Sequence, residues 1–91
     1  MIKIIDDWYI ESESNPVNYI VRRGKQRLDK KGSNRDRVYG YYSSMAKAVK
    51  AVRDNFIAEE FKDGSTSLST ALSRISEIDA EFVKIMERVT A

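Results

Sequence analysis

Ninety-one residues, 42% hydrophobic and 33% charged with a net charge of +2, predict one folded domain with a modest core and not a disordered tail. The chain has neither cysteine nor histidine, which removes disulfides, conventional zinc sites, thiol nucleophiles and every triad that needs an imidazole base. No apolar run approaches the roughly 20 residues a bilayer-crossing helix needs, and MIKIIDDWYI has an Asp-Asp pair where a signal peptide would stay apolar.

Residues 2–11, IKIIDDWYIE, place Ile2, Ile4, Trp8 and Ile10 on one parity, the period of a half-buried strand, with Asp6-Asp7 as a bend or bulge. Asn15-Pro16 then marks a turn, and VNYIVRR alternates as a second strand over 17–23. The aromatic and β-branched run RVYGYYS predicts a third strand over about 36–42, with Gly40 at a bulge or close approach. After that the period changes. Met45, Val49, Val52, Phe56 and Phe61 follow helical spacing over about 44–62, with Ser43 or Ser44 as cap. Gly64 is placed as a left-handed stop and Ser65, Thr66 or Ser67 as the next cap. The final helix, about 67–89, carries Leu68, Ala71, Ile75, Ile78, Phe82, Ile85 and Val89 in alternating steps of three and four, with Leu72 and Met86 widening the stripe. That stripe packs on the rest of the domain or forms a homodimer seam. The expected fold is α+β: a three-stranded antiparallel meander followed by a two-helix hairpin, in a single domain spanning 1–91.

Charge is distributed unevenly along this plan. Between residues 22 and 37 lie Arg22, Arg23, Lys25, Arg27, Lys30, Lys31, Arg35 and Arg37 against only Asp29 and Asp36, a net charge of +6 in a chain whose total is +2. The segment is either a twisted ribbon turning around Lys31-Gly32-Ser33-Asn34 or a mobile loop. Such a cluster blunts a sheet edge against unwanted pairing, or it contacts something anionic, nucleic acid or an acidic protein surface. The strand tyrosines sharpen the second reading. Tyr41 and Tyr42 cannot both point inward, and displayed tyrosines such as Tyr39 and Tyr41 can stack on unpaired bases. No helix-turn-helix, RNP or KH signature accompanies them.

Catalysis has little to draw on. The glycines at 24, 32, 40 and 64 are isolated, with neither dinucleotide-binding nor P-loop spacing, and no cofactor or metal set is legible. Carboxylate chemistry would need a concave pocket that a chain this short rarely builds alone, so the expectation is a non-enzyme.

The succession DWYIESES, NPVNYIVRR, VYGYYSSMAKAVKAV and a closing heptad helix resembles small accessory proteins carried by bacteriophages and prophages. In these a tryptophan-bearing strand and an NYI strand precede a GYY-Ser turn into an alanine-rich helix. The resemblance covers most of the chain as pattern and brings no catalytic motif, so no functional residue is carried over. It implies a protein that binds and does not catalyse, and the cytoplasmic location expected from the lack of a span or signal would then be that of the host cell. Some such proteins block host defence, anti-CRISPR proteins among them, which keeps open an inhibitor or adaptor acting on a host protein through the helical face.

Overall fold

The computed structural model describes residues 1–14, 17–25, 28–32, 34–64 and 66–90, and their side chains apart from those of residues 14, 17, 89 and 90. The Asn15-Pro16 turn, Arg27 and the Val89 end of the stripe lie outside that description. The elements run β1 (Ile2–Ile5), β2 (Trp8–Ser14), β3 (Val17–Arg23), β4 (Arg37–Tyr42), α1 (Met45–Glu60) and α2 (Leu68–Thr90). The strands form one antiparallel sheet in the order β1-β2-β3-β4, so the class is α+β but the meander has four strands and not three.

The extra strand comes from Asp6-Asp7. Ile5 pairs with Trp8, so these two aspartates form a complete hairpin turn, and Asp6 sits at φ 50°, a left-handed conformation that a short polar side chain tolerates better than most. A two-residue turn reverses the parity of the chain, since residues i and i+3 then share a face. Here a register shift between Lys3 and Ile5 reverses it again, returning Ile2 opposite Ile10. Even-numbered residues therefore look like one continuous strand although the chain has folded back.

Two compact units are present, Met1–Ala51 and Val52–Ala91, with α1 contributing to both. In the first, direct cross-strand partners define two sheet faces. Trp8, Ile10, Val21 and Tyr19 share one; Tyr9, Glu11, Ile20 and Arg22 share the other. Trp8 and Tyr9 are both almost fully buried, at 1% and 2% exposure, although they are neighbours pointing to opposite faces. The Trp8 ring packs on Tyr39 at 4.6 Å between centroids. The β4 register shift between its Val21 and Arg22 partners brings Tyr39 to that position, and the Tyr42 side chain lies over Gly40, where a Cβ would come within 2.6 Å of its hydroxyl. Ile4, Ile10, Ile20, Val21, Ala48, Val49 and Ala51 complete the buried apolar set of this unit.

The second unit is a helical hairpin. The Ser67 hydroxyl accepts the Thr70 amide at 3.4 Å, capping α2, and Gly64 at φ 67° closes the chain after α1. Val52, Ile78, Phe82 and Ile85 are buried, with Phe56 and Phe82 6.3 Å apart. Arg53 donates to both oxygens of Asp79 at 2.8 and 3.1 Å, and this contact holds the Asp79 carboxyl below its usual range. Arg74 bridges Glu60 at 2.8 Å. The apolar stripe of α2 is covered only in part: Leu68 and Leu72 are exposed, as is Val83 beside it. No helix among the described residues is long and apolar enough to cross a membrane.

Candidate functional site

The basic segment does not extend the β3–β4 ladder. The last strand pair is Arg23 with Arg37, and between them the described residues make one isolated bridge, Leu28 with Asn34, around a turn in which Asp29 accepts the Lys31 and Gly32 amides at 2.8 and 3.0 Å. Among the described residues it is neither a continuous ribbon nor a featureless loop. It folds back over the sheet face that carries Tyr9.

Five side chains fix it there. The Tyr9 hydroxyl donates to Asp36 Oδ2 at 2.6 Å and accepts from Asn34 Nδ2 at 2.7 Å. Asn34 Nδ2 also donates to Glu11 Oε1 at 2.8 Å, while its Oδ1 accepts the Asp36 amide at 2.8 Å. Arg22 completes the clamp, donating from Nε to Glu11 at 3.1 Å and from Nη1 to the Asp36 carbonyl at 2.8 Å. Burial, and next the hydrogen bond to Asp36, push the Tyr9 hydroxyl above its usual range. The face that the meander alone would leave open is thus covered at this end by the chain itself.

Gly24 is required by that arrangement. Its amide donates to the Asp7 carbonyl at 2.9 Å, its φ is 150°, and a Cβ there would collide with the Asp36 carboxylate. Gly24→Ala is expected to cost about 1–3 kcal/mol through this overlap and the backbone conformation. Urea unfolding checks this, and a midpoint unchanged from the parent would show that the two groups are not held together.

The predicted contact residues therefore divide. Arg22 is half-buried in the clamp, and Arg23 bonds Asp7 at 3.0 Å with its guanidinium 5.3 Å from the Trp8 ring. Tyr39 lies between Trp8 and Arg37, whose guanidinium is 4.6 Å from the Tyr39 ring. Lys25, Lys30, Lys31, Arg35 and Arg37 are exposed, and among the described residues none of them pairs with a carboxylate. Tyr41 is 61% exposed. The residues that sequence reading did not single out are Tyr9, Glu11, Asn34 and Asp36; Asn34 two residues before Asp36 is a turn signature that points to an ordered segment.

No family model, curated protein or solved structure matches this chain. A shallow depression of about 260 Å³ lies beside the clamp, lined by Lys3, Asp6, Asp7, Trp8, Tyr9, Gly24 and Lys25. Among the described residues no cluster of three or more acidic groups is arranged to hold a metal ion.

Proposed function

We propose that this chain is a non-enzymatic binding protein whose basic 25–37 segment docks on an anionic partner, a nucleic acid in the first instance. One observation carries the reading. The clamp engages the Asp36 carboxylate with Tyr9, and Asp29 bonds the backbone of its own turn, while Lys25, Lys30, Lys31, Arg35 and Arg37 are exposed and form no ion pair among the described residues. Asp36 is thus engaged by Tyr9 while the five cations stay exposed. Edge protection alone does not require this: β4 is one edge of the sheet, yet the covered element is β2, an interior strand. The setting we propose, host cytoplasm during phage infection, rests on the resemblance described above.

Phosphate contacts release counterions, so binding should be steeply salt-dependent. Replacing Lys25, Lys30, Lys31 and Arg35 by Gln is expected to lower the slope of log Kd against log salt by about 0.7–0.9 per lost contact, roughly 3 in all. Fluorescence anisotropy with a labelled oligonucleotide gives the slope. A variant with Lys47, Lys50, Lys84 and Arg88 changed to Gln has the same total charge and should retain the parent slope. Equal slopes for the two variants would overturn the proposal, and capture of an acidic protein that persists after nuclease treatment, while labelled nucleic acid is ignored, would overturn the choice of nucleic acid as the partner.

A second reading has its own support. Leu68, Leu72 and Val83 are exposed large apolar side chains on α2, and an inhibitor or adaptor of host machinery could dock through them, as could a second copy of the chain. Leu72→Glu with Val83→Glu would abolish that contact and leave the salt-dependent one intact.

A further inference from the structure

We propose that the nucleic acid taken by this surface is single-stranded, with the phosphates lying across Lys25, Lys30, Lys31 and Arg35 and a base stacked on Tyr41. This rests on the docking reading above and narrows it to one ligand class.

Two independent observations favour a strand over a duplex. The first is the shape of the basic segment. A ribbon reads duplex DNA by entering a major groove about 12 Å wide and 8.5 Å deep, which requires it to stand clear of its own domain. Here the ladder stops at Arg23 and Arg37, and Asn34 and Asp36 are bonded down onto Tyr9 and Glu11. The 34–36 part of the basic segment is therefore held against the sheet and does not stand clear as a groove-entering ribbon would, an arrangement suited to an extended backbone.

The second is the position of Tyr41, which at 61% is the exposed member of the five tyrosines, Tyr19 being half-buried on the opposite face with its cross-strand partner Tyr42. Tyr9 is buried under the segment, Tyr39 is held between Trp8 and Arg37, and Tyr42 lies over Gly40. Tyr41 is left open. It pairs with Ile20, and Ile20 pairs with Glu11, so all three stand on one sheet face. Glu11 is also where Asn34 anchors the basic segment. The exposed ring therefore lies two strand spacings, roughly 10 Å, from the anchor of the cations and on the same side of the sheet. Bases in a duplex are stacked on one another and offer no face to such a ring; unpaired bases do. Every base has a π-face, so the surface should be tolerant of sequence.

The test uses fluorescein-labelled oligothymidylate, oligouridylate and a mixed-sequence duplex of equal length, titrated at fixed low salt with the full chain. The strands are expected to bind at least tenfold more tightly than the duplex. Tyr41→Ala should weaken strand binding about 5- to 100-fold without changing the salt slope, and Tyr41→Phe, which keeps the ring, should bind like the parent. Because Tyr41 is exposed, circular dichroism and thermal midpoint should be unaltered in both, so a loss of binding is not a loss of fold. Equal affinity for duplex and strand, or parent-like binding by Tyr41→Ala, overturns the inference. If the Lys/Arg→Gln variant is still weakened in those cases, the docking reading survives without the single-strand one. Should oligothymidylate ignore both sets of changes, the docking reading itself falls.

Discussion

Trp8→Ala is expected to leave the chain largely unfolded at room temperature. Trp8 is 1% exposed, sits opposite Ile5 on one side and Arg23 on the other, and packs its ring on Tyr39 at 4.6 Å. Truncating a buried tryptophan costs about 3–5 kcal/mol, because the lost transfer energy is joined by a cavity the surroundings only partly fill. A domain of this size has a total stability near the lower end of the usual ~5–15 kcal/mol, so the loss consumes most of it. Trp8→Phe keeps a ring against Tyr39 and should unfold cooperatively at a reduced urea midpoint. Since Trp8 is the only tryptophan, the comparison has to be followed by far-ultraviolet circular dichroism. An alanine variant with a midpoint near the parent value would mean that the β1–β2–β4 contacts do not form the core described above.

The clamp makes the second large effect. Asp36→Ala removes the acceptor for the buried Tyr9 hydroxyl and should loosen residues 28–36 without unfolding the sheet, because Ile10, Ile20 and Val21 are untouched. A hydrogen bond to a charged group contributes about 1.5–3 kcal/mol, and losing one raises the population of the open segment roughly 10- to 100-fold. Trypsin reports this directly, since Lys30, Lys31 and Arg35 stand in the segment and cleavage follows the open fraction when reclosing is fast. Asp36→Asn keeps an acceptor and should be cut more slowly than Asp36→Ala. If all three chains are cut at the same rate, something other than Tyr9 and Asn34 holds the segment down.

The two variants also separate shape from charge. Asp36→Ala adds net positive charge to the segment while releasing it from the sheet, so a purely electrostatic partner should be bound at least as tightly as by the parent. A partner that needs the cations and Tyr41 on one face should be bound less tightly by the released segment, despite the extra charge. The same reasoning explains why Arg22 and Arg23 are poor positions for mutating the contact surface. Their guanidinium groups hold Glu11 and Asp7, and replacing them would alter the fold along with the charge.

Local features were legible in the residues alone wherever a short-range rule acts without competition. The Ser44 and Ser67 hydroxyls accept the amides three residues on, at 3.2 and 3.4 Å, and Gly64 takes the left-handed conformation expected at that chain reversal. The three-four spacing of Ile78, Phe82 and Ile85 marks the buried face of α2, and the Tyr41-Tyr42 pair divides as alternation requires. The fourth strand was hidden because two irregularities cancel: the Asp6-Asp7 turn reverses the parity and the bulge near Ile4 restores it, leaving an even-numbered pattern with no visible break. Leu68 and Leu72 show the opposite limit, since apolar spacing identifies a face but not whether anything covers it.

Composition and periodicity determined that this chain is an α+β protein with positive charge gathered between its third and fourth strands, and without imidazole or thiol chemistry. Tertiary structure alone decided which of those charges are free. Asp36 lies 27 residues from Tyr9 and Arg22 lies 11 from Glu11, so no local pattern relates them. They meet because the strand register places Tyr9, Glu11 and Arg22 on one face and because the segment returning from Gly24 must satisfy their buried polar groups.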